Sequence, residues 1–100
     1  MLPAKISNLL TELTQRTENG SLIWDFDGEN ESVSARFPPY AMTVKYSFNM
    51  IEEVGQYNII LYEDEVDYPR YFMTNQMYND YDIARRLFDS AQTSGLNFTF

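Results

Sequence analysis

An α+β domain with a helix at each end of a central antiparallel sheet is predicted by three features of this 100-residue chain. Apolar residues recur at helical spacing near both ends of the sequence, and the runs between them alternate apolar and polar residues. Each pair of runs is separated by Gly, Pro, Asn, Asp or Glu residues that suit turns. The expected order is an N-terminal helix, a four- to five-stranded antiparallel meander and a C-terminal helix. Both helices are expected on one face of the sheet, in a single domain spanning residues 1–100.

The first helix is predicted over Pro3 to Glu18, where Ile6, Leu9, Leu10 and Leu13 form one apolar stripe. Pro3 suits a first turn because its missing N–H has no partner there, and Asn19-Gly20 can close the helix in the left-handed conformation. Leu22, Trp24 and Phe26 then alternate with Ile23, Asp25 and Asp27, predicting a strand with one apolar face. The turn-rich run Asp27 to Glu31 leads to a second alternating strand through Val33, Ala35 and Phe37, which Pro38-Pro39 ends. From Ala41 to Met50, Met42, Val44, Tyr46 and Phe48 mark a half-buried third strand. Tyr57 to Glu63 is rich in β-branched and aromatic residues and is expected to be covered on both faces. Arg70 to Thr74 is placed at a sheet edge because Pro69 precedes it. The last helix is expected from about Asn79 to Ser94, with Tyr81, Ala84, Leu87, Phe88 and Ala91 on one face and Asn79 or Asn75 as its cap. The alternating tail from Leu96 to Phe100 is expected to dock on the body or on a partner.

Composition narrows the function. The chain has no Cys and no His, which removes thiolate chemistry, disulfides and the usual neutral-pH base. A non-catalytic protein without a cofactor or metal is therefore expected. The net charge of −8 repels phosphates and anionic lipid, so direct nucleic-acid and membrane binding are disfavoured. The opening residues lack a basic region followed by an apolar one, and no apolar run approaches the roughly 20 residues that cross a bilayer. A cytoplasmic location is the corresponding expectation.

Two acidic clusters are candidate binding features. Asp25, Asp27, Glu29 and Glu31 occupy alternate positions around the first hairpin, where extended backbone would project their carboxylates to one side and offer a hard-cation site. Gly28 directly follows the second aspartate, so the spacing is not that of a calcium-binding EF-hand loop. Glu63, Asp64, Glu65 and Asp67 crowd the loop before the edge strand. Together the clusters allow DNA mimicry, with carboxylates standing for phosphates, although Arg36, Lys45, Arg70, Arg85 and Arg86 interrupt the negative field. Paired carboxylates can also serve glycoside hydrolysis, but that requires a cleft and a defined separation.

Arg85-Arg86 is the basic feature of the last helix. One arginine is expected to pair with Asp82 or Asp89 and the other to be solvated, or the pair to contact an anion or partner. Tyr57, Tyr62, Tyr68, Tyr71, Phe72, Tyr78 and Tyr81 outnumber what one small core needs, and wet tyrosines favour protein interfaces. Tyr68 and Tyr71 flank the edge strand, which can add to a strand of another chain. The tripeptides Asn30-Glu31-Ser32 and Asn97-Phe98-Thr99 fit the glycosylation pattern and are expected to be chance matches, since no secretion signal is expected.

Leu9-Leu10-Thr11-Glu12-Leu13-Thr14, Asn19-Gly20-Ser21-Leu22-Ile23-Trp24 and Ile83-Ala84-Arg85-Arg86 together resemble a family of small uncharacterised bacterial and phage proteins. Those proteins open with a leucine-rich helix ending in Gly, continue with a Trp-bearing strand and close with a helix containing Ala-Arg-Arg. The resemblance implies the same order of elements and a bacterial or phage setting, and it implies no activity.

The resulting expectation is a small acidic binding protein that contacts or inhibits a host protein. DNA mimicry and a structural homo-oligomer or homodimer are the alternatives. Because the helices take one sheet face, function is expected on the other face, at the acidic loops or along the edge from Tyr68 to Met73.

Overall fold

The computed structural model describes residues 1–96 and Phe98. Two helices and a five-stranded antiparallel meander follow one another as α1 (Ala4–Glu18), β1 (Asp25–Asp27), β2 (Ser32–Phe37), β3 (Tyr40–Asn49), β4 (Val54–Glu63), β5 (Arg70–Asn75) and α2 (Tyr81–Gln92). The spatial strand order is the sequence order, β1-β2-β3-β4-β5.

α1 starts where Pro3 lies just outside the helix and its carbonyl accepts the Ile6 and Ser7 N–H groups at 3.0 Å. It ends where Gly20 takes φ +85°, which lets Ser21 and Leu22 donate to the Arg16 carbonyl at 2.8 and 3.1 Å. The apolar stripe is extended by Thr14 and Thr17, both buried. Their hydroxyls donate to the Leu10 and Leu13 carbonyls at 2.7 Å, which satisfies them inside the core.

Register fixes the two faces of the sheet. Val33 pairs with Val44, Val44 with Ile59 and Ile59 with Phe72, a row that faces the helices. Ala35, Met42 and Leu61 form the next row towards one end of the strands, and Tyr46 and Tyr57 form the row towards the other. These side chains join Ile6, Leu10 and Leu13 of α1 and Ala84, Leu87, Phe88 and Ala91 of α2 in one core. The alternate residues of each strand form the other face, over which no described helix lies.

The first strand is shorter than expected, because pairing begins only at Asp25. Trp24 lies before it and is held from two sides. Its backbone N–H donates to Ser94 Oγ and its indole N–H to Thr17 Oγ1, each at 2.8 Å. Trp24 is therefore buried while Phe26 is exposed, and the two do not share a covered face. β4 is covered on one face only, since it is next to the edge and both helices lie on the same side.

α2 begins at Tyr81, and neither Asn79 nor Asn75 caps it. Asn75 instead accepts the Met77 N–H at 2.9 Å, and Asp80 occupies the cap position with its side chain turned inward. The buried Asp80 carboxylate accepts the Leu2 N–H and the Thr74 hydroxyl, tying the N-terminus, β5 and α2 together. In the tail, Leu96 and Phe98 are exposed, and the expected docking at positions 97, 99 and 100 lies outside the described residues.

Candidate partner-binding surface

The open face changes character from one edge to the other. One cross-strand row runs Asp25, Ser34, Thr43, Ile60, Tyr71, and its neighbour runs Asp27, Ser32, Lys45, Asn58, Met73. Ser34 and Thr43 join their hydroxyls at 2.9 Å, and Asn58 donates to Ser47 Oγ at 3.1 Å, so the central strands carry hydrogen-bonded polar side chains. Beyond them Ile60, Tyr62, Tyr71 and Met73 form an apolar and aromatic end at β4 and β5. Tyr71 is 71% exposed, and Tyr62 and Met73 are exposed as well. Large apolar side chains grouped on an open sheet face mark an interaction surface more often than scattered ones do.

The acidic residues do not join this patch into one array. The β1–β2 turn sits where β2 begins, and the β4–β5 loop sits where β2 ends and on the opposite edge of the sheet. Strand spacing and rise put the two clusters roughly 20 Å apart. Asp25 and Asp27 lie on the open face of β1. Asp27 also organises its turn, accepting the Glu29 and Asn30 N–H groups at 3.1 and 3.4 Å and the Asn30 amide at 2.7 Å. The Asn30 side-chain hydrogen bond, first among these contacts, holds the Asp27 carboxyl below its ordinary range, and Lys45 adds to it.

Glu31 has φ +49° and Glu65 φ +67°, so these two acids serve as left-handed turn residues. Glu63 faces the helix side, as its register opposite Tyr40 requires. Asp64 pairs with Arg36 at 3.3 Å across the end of the sheet. Asp67 is exposed in the loop, and Tyr68 beside it is 70% exposed. Among the described residues, no three carboxylates converge closely enough to hold a metal ion.

Both arginines of α2 are engaged, which corrects the expectation that one would be solvated. Arg85 contacts Asp82 at 3.2 Å and Asp89 at 3.5 Å, and Arg86 reaches Glu18 of α1 at 2.9 Å. The helices cross closely enough for an interhelical ion pair, which helical spacing within α2 alone does not reveal. The Asp82 hydrogen bond raises Arg85 above its ordinary range, so its charge is constant at any workable pH.

The tyrosines divide between core and surface. Tyr46, Tyr57, Tyr81 and Phe88 form a ring cluster with centroids 5.3 to 5.4 Å apart, centred on Tyr57. Burial raises the Tyr57 hydroxyl above its ordinary pKa, and burial followed by Tyr46 raises Tyr81. Phenols shifted upward stay protonated at neutral pH, so they hold structure and do not supply a base. The cluster also explains Gly55, where a Cβ would lie 2.7 Å from the Tyr46 hydroxyl oxygen and 3.2 Å from that of Tyr81.

β5 is the edge strand that Pro69 predicts, but part of its free edge is occupied. The N-terminal ammonium donates to the Met73 carbonyl at 3.4 Å, leaving the Tyr71 end as the open portion. No described helix is long and apolar enough to cross a membrane. No protein-family model matches the chain, and no curated protein or solved structure is significantly similar to it. The fold and surface define a two-layer α+β domain with one face of its sheet open.

Proposed function

We propose that this chain is a non-catalytic protein-binding domain that contacts its partner through the β4–β5 end of the open sheet face. The observation that carries this reading is the grouping of Tyr62, Tyr71 and Met73 around Ile60, on a face that no described helix covers. Tyrosine combines a large apolar body with a wet hydroxyl and is enriched at the centre of interfaces. The polar Ser, Thr and Asn residues beside the patch supply a rim, and the net charge of −8 favours a partner with a basic border.

In the phage or mobile-element setting implied by the family resemblance, the partner is a host protein that the domain contacts or inhibits, and the setting is cytoplasmic. The separation of the acidic clusters to opposite corners, with Lys45 and Arg36 between them, gives DNA mimicry less support than a mixed aromatic and polar contact. A homodimer through the same face is the alternative partner.

The test is photo-crosslinking from a benzophenone side chain placed at Tyr71 in host lysate, with the same group at exposed Gln15 on α1 as control. One discrete adduct from position 71 and none from position 15 is the expected result. Adducts equally frequent at both positions, or absent from both, would remove the surface from consideration.

A further inference from the structure

On the helix side, α1 leaves one corner of the sheet uncovered, and a cleft of about 290 Å³ opens there. Tyr40 and Leu61 of the sheet, Ile6 and Leu9 of α1 and Val66 and Tyr68 of the β4–β5 loop line it. Lys5 and Arg70 also line it, and Glu63 is the acid among the described lining residues. The volume lies just below the range for drug-sized ligands, which begins at about 300 Å³, and suits a smaller molecule.

The distribution of cations singles this cleft out. The chain has seven cationic side chains, of which Arg16, Arg36, Arg85 and Arg86 are taken up in ion pairs. Among the described residues Lys5, Lys45 and Arg70 have no ion pair, and two of these three line the same apolar cleft. Lys5 is in the first turn of α1, which carries no acidic residue, so the partial positive charge of the helix start adds to the side chains. The cleft therefore has a local charge of +1, two cations against Glu63, in a chain whose total is −8.

We infer that this cleft binds a monocarboxylate carried on a single aromatic or branched apolar body. The apolar body enters between Leu9, Leu61 and Val66, and the carboxylate stays at the mouth between Lys5 and Arg70. A planar guanidinium suits a carboxylate in a two-point contact, and the ammonium of Lys5 adds a mobile point charge. A second negative charge on the ligand would meet Glu63, which selects monoanions. The site lies on the opposite side of the sheet from Tyr62 and Tyr71, so it stands or falls independently of the partner surface.

The test is NMR titration of the full chain with 3-phenylpropionate, with its uncharged amide as control and N-acetyl-glycyl-phenylalanine as a second arm. Saturable shifts at Leu9, Leu61, Val66 and Tyr68 with the carboxylates, and at least about fivefold weaker binding of the amide, are expected. Lys5→Gln and Arg70→Gln should each weaken the carboxylate by about fivefold without changing the melting temperature, since both side chains are exposed. Tighter binding of the acetylated dipeptide assigns the carboxylate to a peptide C-terminus, and tighter binding of 3-phenylpropionate assigns it to a free acid. Equal binding of acid and amide, or no shifts at these residues, would overturn the inference.

Discussion

The carboxylate of Asp80 accepts the backbone N–H of Leu2 at 2.6 Å, joining the start of the chain to the start of α2 across 78 residues. The same carboxylate accepts the hydroxyl of Thr74, which is completely buried at the end of β5. One side chain thus satisfies two donors from separate elements inside the core. Removing it leaves both without a partner, so Asp80→Ala should destabilise the domain by about 2–4 kcal/mol in urea unfolding. Asp80→Asn keeps one acceptor but turns an amide towards the other donor, and should fall between the two.

Trp24 provides a second buried test. Its indole N–H depends on Thr17 Oγ1, and that oxygen donates onward to Leu13. Thr17→Val is close in shape but strands the indole, with an expected cost of about 1–3 kcal/mol. Tryptophan fluorescence, which reports this single indole, should give the same midpoint as circular dichroism if the domain unfolds as one unit.

At Gly55 the constraint is space. The tyrosine hydroxyl oxygens above it leave no room for a Cβ, so Gly55→Ala should displace Tyr46 and Tyr81 and cost about 1–3 kcal/mol in chemical denaturation. Glu53 poses the converse case, with φ +56° in the β3–β4 turn. Glu53→Gly relieves a left-handed backbone and should raise stability by about 0.5–1 kcal/mol.

Alkaline pH should act through Tyr57 and Tyr81. Burial raises both hydroxyls in the folded state, so above about pH 10 the unfolded chain loses these protons while the folded chain retains them. The stability they contribute is complete below that pH and is lost as pH rises through the folded values. Each contributes a slope of at most about 1.4 kcal/mol per pH unit. Absorbance titration should show part of the tyrosinate signal delayed until unfolding, and Tyr57→Phe should shorten the delay. Simple ionisation of all eight tyrosines near pH 10 in the folded state would contradict the assignment.

Much of this architecture was legible because it rests on periodicity. Leu10, Leu13, Ala84 and Leu87 recur at helical spacing, and Met42 and Val44 alternate along a strand, so composition and spacing alone place them inside. Trp24 reads as a strand residue because an alternating pattern does not disclose where pairing starts, whereas its indole is anchored to Thr17 ahead of β1. Asp80 was not legible at all. In the turn from Asn75 to Asp80 nothing in the sequence distinguishes a buried acceptor from a solvated acid, and its donors are 6 and 78 residues away.

The acidic clusters illustrate the same limit. Glu31 and Glu65 read as charge, while their backbone angles make them turn residues, and Arg86 reads as solvated until α1 is laid beside α2. The cleft between Lys5 and Arg70 joins residues 65 positions apart in the chain, so only the assembled layers bring it into being.

Partner binding through the β4–β5 end of the open face is tested by paired capture experiments. The wild-type chain and a Tyr62→Thr/Tyr71→Thr variant, matched in melting temperature, are used as bait in the same lysate. A stoichiometric partner, or a second copy of the chain, should be retained by wild type and reduced at least about tenfold by the variant. Equal retention by both baits would contradict it, as would a wild-type chain that stays monomeric and captures nothing.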